Sequence, residues 1–227
     1  MTEKQYGGNT GREQKSKINM QSDKVMPNKN NGKMNKLRSN INDISQKNSS
    51  SISSDEEKII TAGKIASQAK IYAKSIIKKG VPLLDIAEKI EVEIEKLGGK
   101  PAFPVNLSID NIAAHYTPFH NDQTIAQGLL KIDIGVSIDG WVADTAFSMD
   151  LENDEKNKKL IEAGKDALNN VLRVAKIGIS TDEIGEIISK TIESYGFSPI
   201  INLSGHSMNK HELHAGITIP NINTKKD

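Results

Sequence analysis

The chain has 227 residues, with 30 Lys or Arg against 29 Asp or Glu and no cysteine. Disulfides, thiolate zinc knuckles and cysteine nucleophiles are thereby excluded, and any metal must be held by His, Asp or Glu. No apolar run approaches the roughly 18 residues needed to span a bilayer, and the N-terminus lacks the apolar block of a secretory signal, so the expectation is a cytoplasmic protein with no membrane partner.

The near-neutral balance is an average of two unlike parts. Residues 1–54 hold ten of the basic and four of the acidic side chains, among runs of Asn, Ser, Gln and Gly, with no aromatic residue beyond Tyr6. Such a stretch cannot bury enough apolar area to offset its ordering entropy, and it is expected to be a disordered basic and polar N-terminal extension. The remaining residues 55–227, with twenty basic and twenty-five acidic side chains, are expected to form the folded domain.

That domain opens near Ser54, where S-D-E-E reads as a capping box with Ser54 capping and Glu57 reciprocating. Ile59, Ala62, Ala66, Ala69, Ala73 and Ile77 then recur at helical spacing, widened by Ile65, Tyr72 and Ile76, until Gly80-Val81-Pro82 ends the helix. A second helix is predicted over Leu83 to Leu97, with Ile86, Ile90 and Ile94 on one face and a stop at Gly98-Gly99. The proline-rich segment Lys100 to Pro118 reads as short strands and loops and carries His115 near its end. Leu129 to Val136 and Trp141 to Leu151 read as two strands joined across a turn with an Asp139-Gly140 signal. Helices follow over roughly 154–176 and 182–195, the latter behind a Ser180 to Glu183 capping box. Short strands are expected at Ile200 to Leu203 and Ile217 to Ile219. This order lacks strict strand-helix alternation, so an α+β domain with an antiparallel or mixed sheet is preferred to a doubly wound one.

Asp133 in K-I-D-I-G and Asp144 in V-A-D-T-A-F lie on the two strands of the predicted hairpin. Centring the turn between Ile138 and Asp139 places the two carboxylates directly opposite each other on one face. Opposed carboxylates repel, and burying them unpaired costs several kcal/mol by the usual order of magnitude. A metal bound between them would reverse that penalty, whereas an Asp facing solvent at a sheet edge needs no such account. The five histidines fall at 115, 120, 206, 211 and 214. His206 follows a strand and Gly205, a setting that lets a loop imidazole reach a site. Three imidazoles, His115, His206 and His214, with two strand carboxylates make a hydrolytic metal site the sharper reading. His120 and His211 are assigned to solvent or to loop caps.

The words A-F-P-V-N-L-S-I-D-N-I-A-A-H-Y-T-P, K-I-D-I-G, V-A-D-T-A-F and G-H-S-M-N-K-H-E-L-H-A-G, in this order over about residues 55–224, resemble the methionine aminopeptidases of peptidase family M24. A-A-H-Y-T-P and G-H-S favour their type 2, archaeal and eukaryotic class. The resemblance implies the α+β pita-bread fold, two pseudo-symmetric halves around a curved antiparallel sheet, and co-translational removal of the initiator methionine from nascent polypeptides by a metal-activated water. It further implies two divalent ions of the Co, Mn, Fe or Zn kind. Asp133 would chelate one, Asp144 would bridge both and His206 would bind the other. His115 and His214 would be the catalytic imidazoles facing the substrate, and Phe103 the aromatic wall of the methionine pocket. A monomer is expected, with a weak ribosome contact through the basic tail.

The family pattern also contains two metal-binding glutamates downstream of H-A-G and a helical insertion, and neither occurs in this sequence. The resemblance therefore implies a C-terminally truncated member whose second half is incomplete and whose activity alone would be lost or poor. The alternatives are an inactive fragment, a non-catalytic pita-bread binding protein, and a relative of the proline-specific dipeptidases, which share the fold and the metal ligands.

Overall fold

The structure is a computed structural model that describes residues 53–224. The expected extension over residues 1–54 lies, except for its last two residues, outside them. Helix α1 (Ser54–Ile76) is followed by α2 (Leu83–Lys96), β1 (Lys100–Pro101), β2 (Asn106–Ile109), the long hairpin β3 (Leu129–Ile138) and β4 (Trp141–Asp150), helices α3 (Glu155–Val174) and α4 (Thr181–Ser194), and the short β5 (Gly205–His206) and β6 (Thr218–Ile219). Strand β3 is the centre of an antiparallel sheet. It pairs with β4 along one side, and with β1 and β2 end to end along the other. The α+β class and the curved, open antiparallel sheet of the pita-bread fold are thus present.

Alternation along β3 explains its position. Leu130, Ile132, Ile134 and Val136 are fully buried in one core cluster with residues of α1 and α2, and burying each contributes roughly 1.5–3 kcal/mol. Helix α1 offers that core Ala62, Ala66, Ala69 and Ala73, all buried, and such small side chains let a helix lie close to a sheet. Helix α2 adds Leu83, Ile86, Ile90 and Ile94, each fully buried. The other face of β3 carries Lys131, Asp133, Gly135 and Ser137, and this is the face that builds the site.

Several local expectations shift. The capping box lies one residue earlier: Ser53 Oγ accepts from the Glu56 N–H, while Glu56 accepts from the Ser53 N–H. This places Asp55, Glu56 and Glu57 in the first turn, where the helix dipole favours them. Helix α1 ends at Ile76, before Gly80, and Ile59 is 41% exposed instead of packed. Ser180 caps α4 through the Asp182 N–H. The strand expected at Ile200 to Leu203 does not form, and pairing begins only at Gly205. Ile200 and Ile201 are exposed, so that segment lacks the burial an apolar strand would need.

The loop between β2 and β3 is held by a buried carboxylate. Asp122, 7% exposed, accepts from the Tyr116 hydroxyl at 2.7 Å and from the Thr124 N–H at 2.8 Å. Bonds from the Thr124 and Tyr116 side chains, in that order, hold its pKa below the ordinary 3.8 despite burial. A depressed folded pKa stabilises fully above the unfolded value, and the contribution is lost as pH falls through the folded one. Asp122→Asn should therefore lower the melting temperature by at least roughly 2–4 °C at pH 7, with a gap to wild type that narrows below about pH 4. Thermal melts of both proteins from pH 3 to 7 check this; a gap constant with pH would contradict it.

Candidate metal centre

The hairpin turn brings the two aspartates together in a register different from the expected one. Asp139 and Gly140 both take positive φ, +49° and +86°, as a two-residue type I′ turn requires. Ile138 therefore pairs with Trp141, Asp133 with Ala146, and Gly135 with Asp144. Asp133 and Asp144 are diagonal neighbours and not directly opposite. The correction is a slip of two positions, and because side chains alternate with period two, both carboxylates keep the same face.

The chemistry of that face is visible in Asp133. Its pKa is pushed up to about 6, first by burial, then by the charge of Asp144 and by a hydrogen bond between the two carboxyls. The His115 imidazole and the Ile134 N–H pull in the opposite direction. A like charge close by disfavours ionisation of a carboxyl, which is the physical cause of the second contribution, that of Asp144.

His206 and His214 arrive from the far end of the chain. Strands β5 and β6 pair Gly205 with Ile219 and His206 with Thr218, and the intervening loop is fastened internally by the Ser207 N–H on the Ile217 carbonyl and the Ala215 N–H on the Ser207 carbonyl, 2.9 and 2.8 Å. His206 Nε2 stands 3.4 Å from Asp144 Oδ2, with side-chain exposures of 21% and 25%. The His214 ring meets that of His206 edge-on, with centroids 4.2 Å apart.

His115 is held by its neighbour. The Tyr116 carbonyl accepts from the Leu107 N–H at 2.7 Å, the Tyr116 N–H donates to Ser108 Oγ at 3.2 Å, and its hydroxyl is fixed by Asp122. His115 itself adopts φ +65°, a conformation that costs energy away from glycine and gathers at functional sites.

A cavity of about 780 Å³ receives Phe103, His115, Asp133, Asp144, His206 and His214 together. All six residues singled out from sequence are thus brought to one place. His120 is exposed, as is His211. The latter nevertheless has a structural contact: its N–H donates to the Gly140 carbonyl at 2.8 Å, and its ring lies over the Gly140 Cα.

Sequence reasoning passed over Asn106. It pairs with Asp133 across β2 and β3, lines the same cavity, and donates to the Pro104 carbonyl and Thr117 Oγ1, both at 2.8 Å. A polar residue inside the V-N-L-S-I strand was the available signal. Leu213, Ile217 and Thr218 also line the cavity, and only the β5–β6 pairing puts them there.

The donor set of two carboxylates and one imidazole suits divalent ions of hard or borderline character. Among the described residues, however, no three His, Asp or Glu side chains close into a metal-sized cluster. The arrangement is a carboxylate pair with an imidazole against one member. The same residues provide no helix long and apolar enough to cross a membrane.

The profile of metallopeptidase family M24 matches residues 57–227. The methionine aminopeptidase of Thermococcus onnurineus is 51% identical over 172 residues, which cover 74% of this chain and 57% of that protein. The chain thus spans somewhat over half the length of this relative. Among solved structures, the methionine aminopeptidase of Thermotoga maritima superposes with a TM-score of 0.71 at 27% identity, covering 76% of this chain and 73% of that one. The prolidase of Pyrococcus furiosus gives 0.64 at 24% identity, covering 76% and 52%, a likeness of fold alone.

The Asp133 proton gives a test of this geometry. A folded pKa raised above 3.8 contributes stability that is complete below the unfolded value and is lost as pH rises through about 6. Metal-free wild type should lose stability between pH 4 and 6 relative to Asp133→Asn. In Asp144→Asn, the Asp133 carboxyl followed by NMR should titrate closer to the ordinary carboxylate range. An unchanged midpoint would refute coupling between the two groups.

Proposed function

Given that the chain belongs to metallopeptidase family M24, we propose that it carries the site of a type 2 methionine aminopeptidase, which removes the initiator methionine from nascent polypeptides. The observation that carries this reading is the Asp133–Asp144 pair with His206 at 3.4 Å, on motifs that occur in the order of that class. The 51% identity to the methionine aminopeptidase of Thermococcus onnurineus supports the methionine aminopeptidase reading, and the type 2 assignment rests on the A-A-H-Y-T-P and G-H-S motifs.

Asp133, Asp144 and His206 are the residues that would hold two divalent ions of the Co, Mn, Fe or Zn kind. Such ions, when bound, supply Lewis acidity and a water acidic enough to act as nucleophile near neutral pH. Below about pH 6 Asp133 must give up a proton to serve as a ligand, so in that range cation binding and proton release would be linked at this residue. The carboxylate pair also sets a negative field at the cavity floor, which favours a peptide presenting its ammonium terminus.

His115 and His214 stand at the rim of the carboxylate pair, both exposed to the cavity. From there they can donate to the scissile amide and to the oxygen on which charge develops. Phe103, Leu213 and Ile217 supply apolar surface for an unbranched thioether side chain.

Release of methionine from a Met-Ala-Ser peptide by the Mn- or Co-loaded protein tests the proposal. Chelation should abolish it. Asp133→Asn, Asp144→Asn and His206→Ala should each lower metal affinity by more than roughly tenfold. His115→Ala and His214→Ala should keep the metal content while kcat falls by roughly 100-fold or more. Turnover indifferent to chelator, or full metal content in all three ligand variants, would overturn it.

A further inference from the structure

We infer that Gly135 is a positioning residue whose missing side chain seats the Phe103 ring on the site face of β3, and so sets the depth of the apolar pocket. This rests on the proposed reading of the cavity and names what determines its side-chain selectivity.

Gly135 lies on β3 between Asp133 and Ser137, on the face of the carboxylates, and pairs directly with Asp144. A Cβ built there would lie 2.3, 2.6 and 2.9 Å from Cε1, Cδ1 and Cζ of Phe103, and these are its three nearest atoms. Real Cβ atoms do not approach so closely, so the ring occupies the space that any other residue would fill with its own side chain. The backbone of Gly135 is ordinary extended strand, without positive φ, so its glycine is not explained by conformation. Close approach of another group remains as the reason for glycine inside a strand.

The preceding segment cannot easily retreat. Lys100 and Pro101 pair with Ser137 and Val136, and the Ala102 N–H donates to the Gly135 carbonyl at 2.9 Å. Phe103 is therefore delivered by a peptide bonded to the same residue on which its ring rests. An added methyl group must push the ring away from the strand and into the cavity it shares with His206 and His214.

The consequence is a change in selectivity, since one methylene of pocket depth discriminates substrates by roughly 10–200-fold. Gly135→Ala should lower kcat/KM for Met-Ala-Ser relative to 2-aminobutyryl-Ala-Ser by about tenfold, chiefly through KM. Calorimetry with L-methionine and L-2-aminobutyrate should show the same shift, and a crystal structure of the variant should show the ring displaced. In a Phe103→Ala background the Gly135→Ala change should leave the ratio unaltered. A ring that stays in place with unchanged selectivity, or an equal shift without Phe103, would overturn the inference. Should Gly135→Ala alone fail to fold, Gly135→Ala/Phe103→Ala must fold, and its failure would equally reject the seat. If wild type neither turns over nor binds methionine, the aminopeptidase reading fails, while the ring position in the variant still decides the seat.

Discussion

The antiparallel pairing of β3 with β4 governs both the core and the candidate site. Ten residues of each strand are locked in one register by a two-residue turn, and that register sorts every side chain of β3 onto one of two faces. On one face Ile132, Ile134 and Val136 complete the core beneath α1 and α2. On the other, Asp133 meets Asp144. A slip of one residue would exchange the faces, exposing the isoleucines and burying the carboxylates in the helix layer. The hydrophobic layer thus enforces the acidic site: the register cannot drift without losing several isoleucine side chains' worth of burial at once.

The same constraint explains how an unfavourable arrangement persists. Two carboxyls pressed together by a folded sheet repel, and in the metal-free protein burial and the charge of Asp144 raise the Asp133 pKa to about 6, so that the conflict is relieved by a proton only in mildly acid solution. In the proposed function a cation would take the place of the proton, held by both carboxyls and by the His206 imidazole that stands 3.4 Å from Asp144. Stability stored in the core is in this sense spent on a preorganised charge cluster.

Most of this was legible in sequence, for identifiable reasons. The helices and the hairpin declared themselves through period: alanines and isoleucines at three and four on α1 and α2, alternation on β3, and Asp139-Gly140 between strands. The common face of Asp133 and Asp144 survived an error in register because that error was an even number. Less legible were features that depend on contacts between distant segments. Nothing local distinguishes the apolar run at Ile200 to Leu203 from a strand, and only the absence of a partner to bury it decides. Asn106 reads as an ordinary polar strand residue until β2 is laid beside Asp133. Gly135 reads as a weak point in a strand until the Phe103 ring is placed upon it.

The assembly of the site from three separated stretches raises the question of how the last of them finds its place. Pairing of β5 with β6 alone fixes His206 relative to Thr218, not relative to Asp144. One connection to the hairpin is made at the tip of their loop, where the His211 N–H donates to the Gly140 carbonyl and the His211 ring lies against the Gly140 Cα. Gly140 is thus used twice: its positive φ closes the β3–β4 turn, and its bare Cα gives the loop a surface on which to rest. The turn that sets the aspartate register therefore also anchors the loop carrying His206 and His214. Any residue with a side chain at that position would strain the turn and displace the loop together, so the carboxylates and the imidazoles are referred to the same four atoms of backbone.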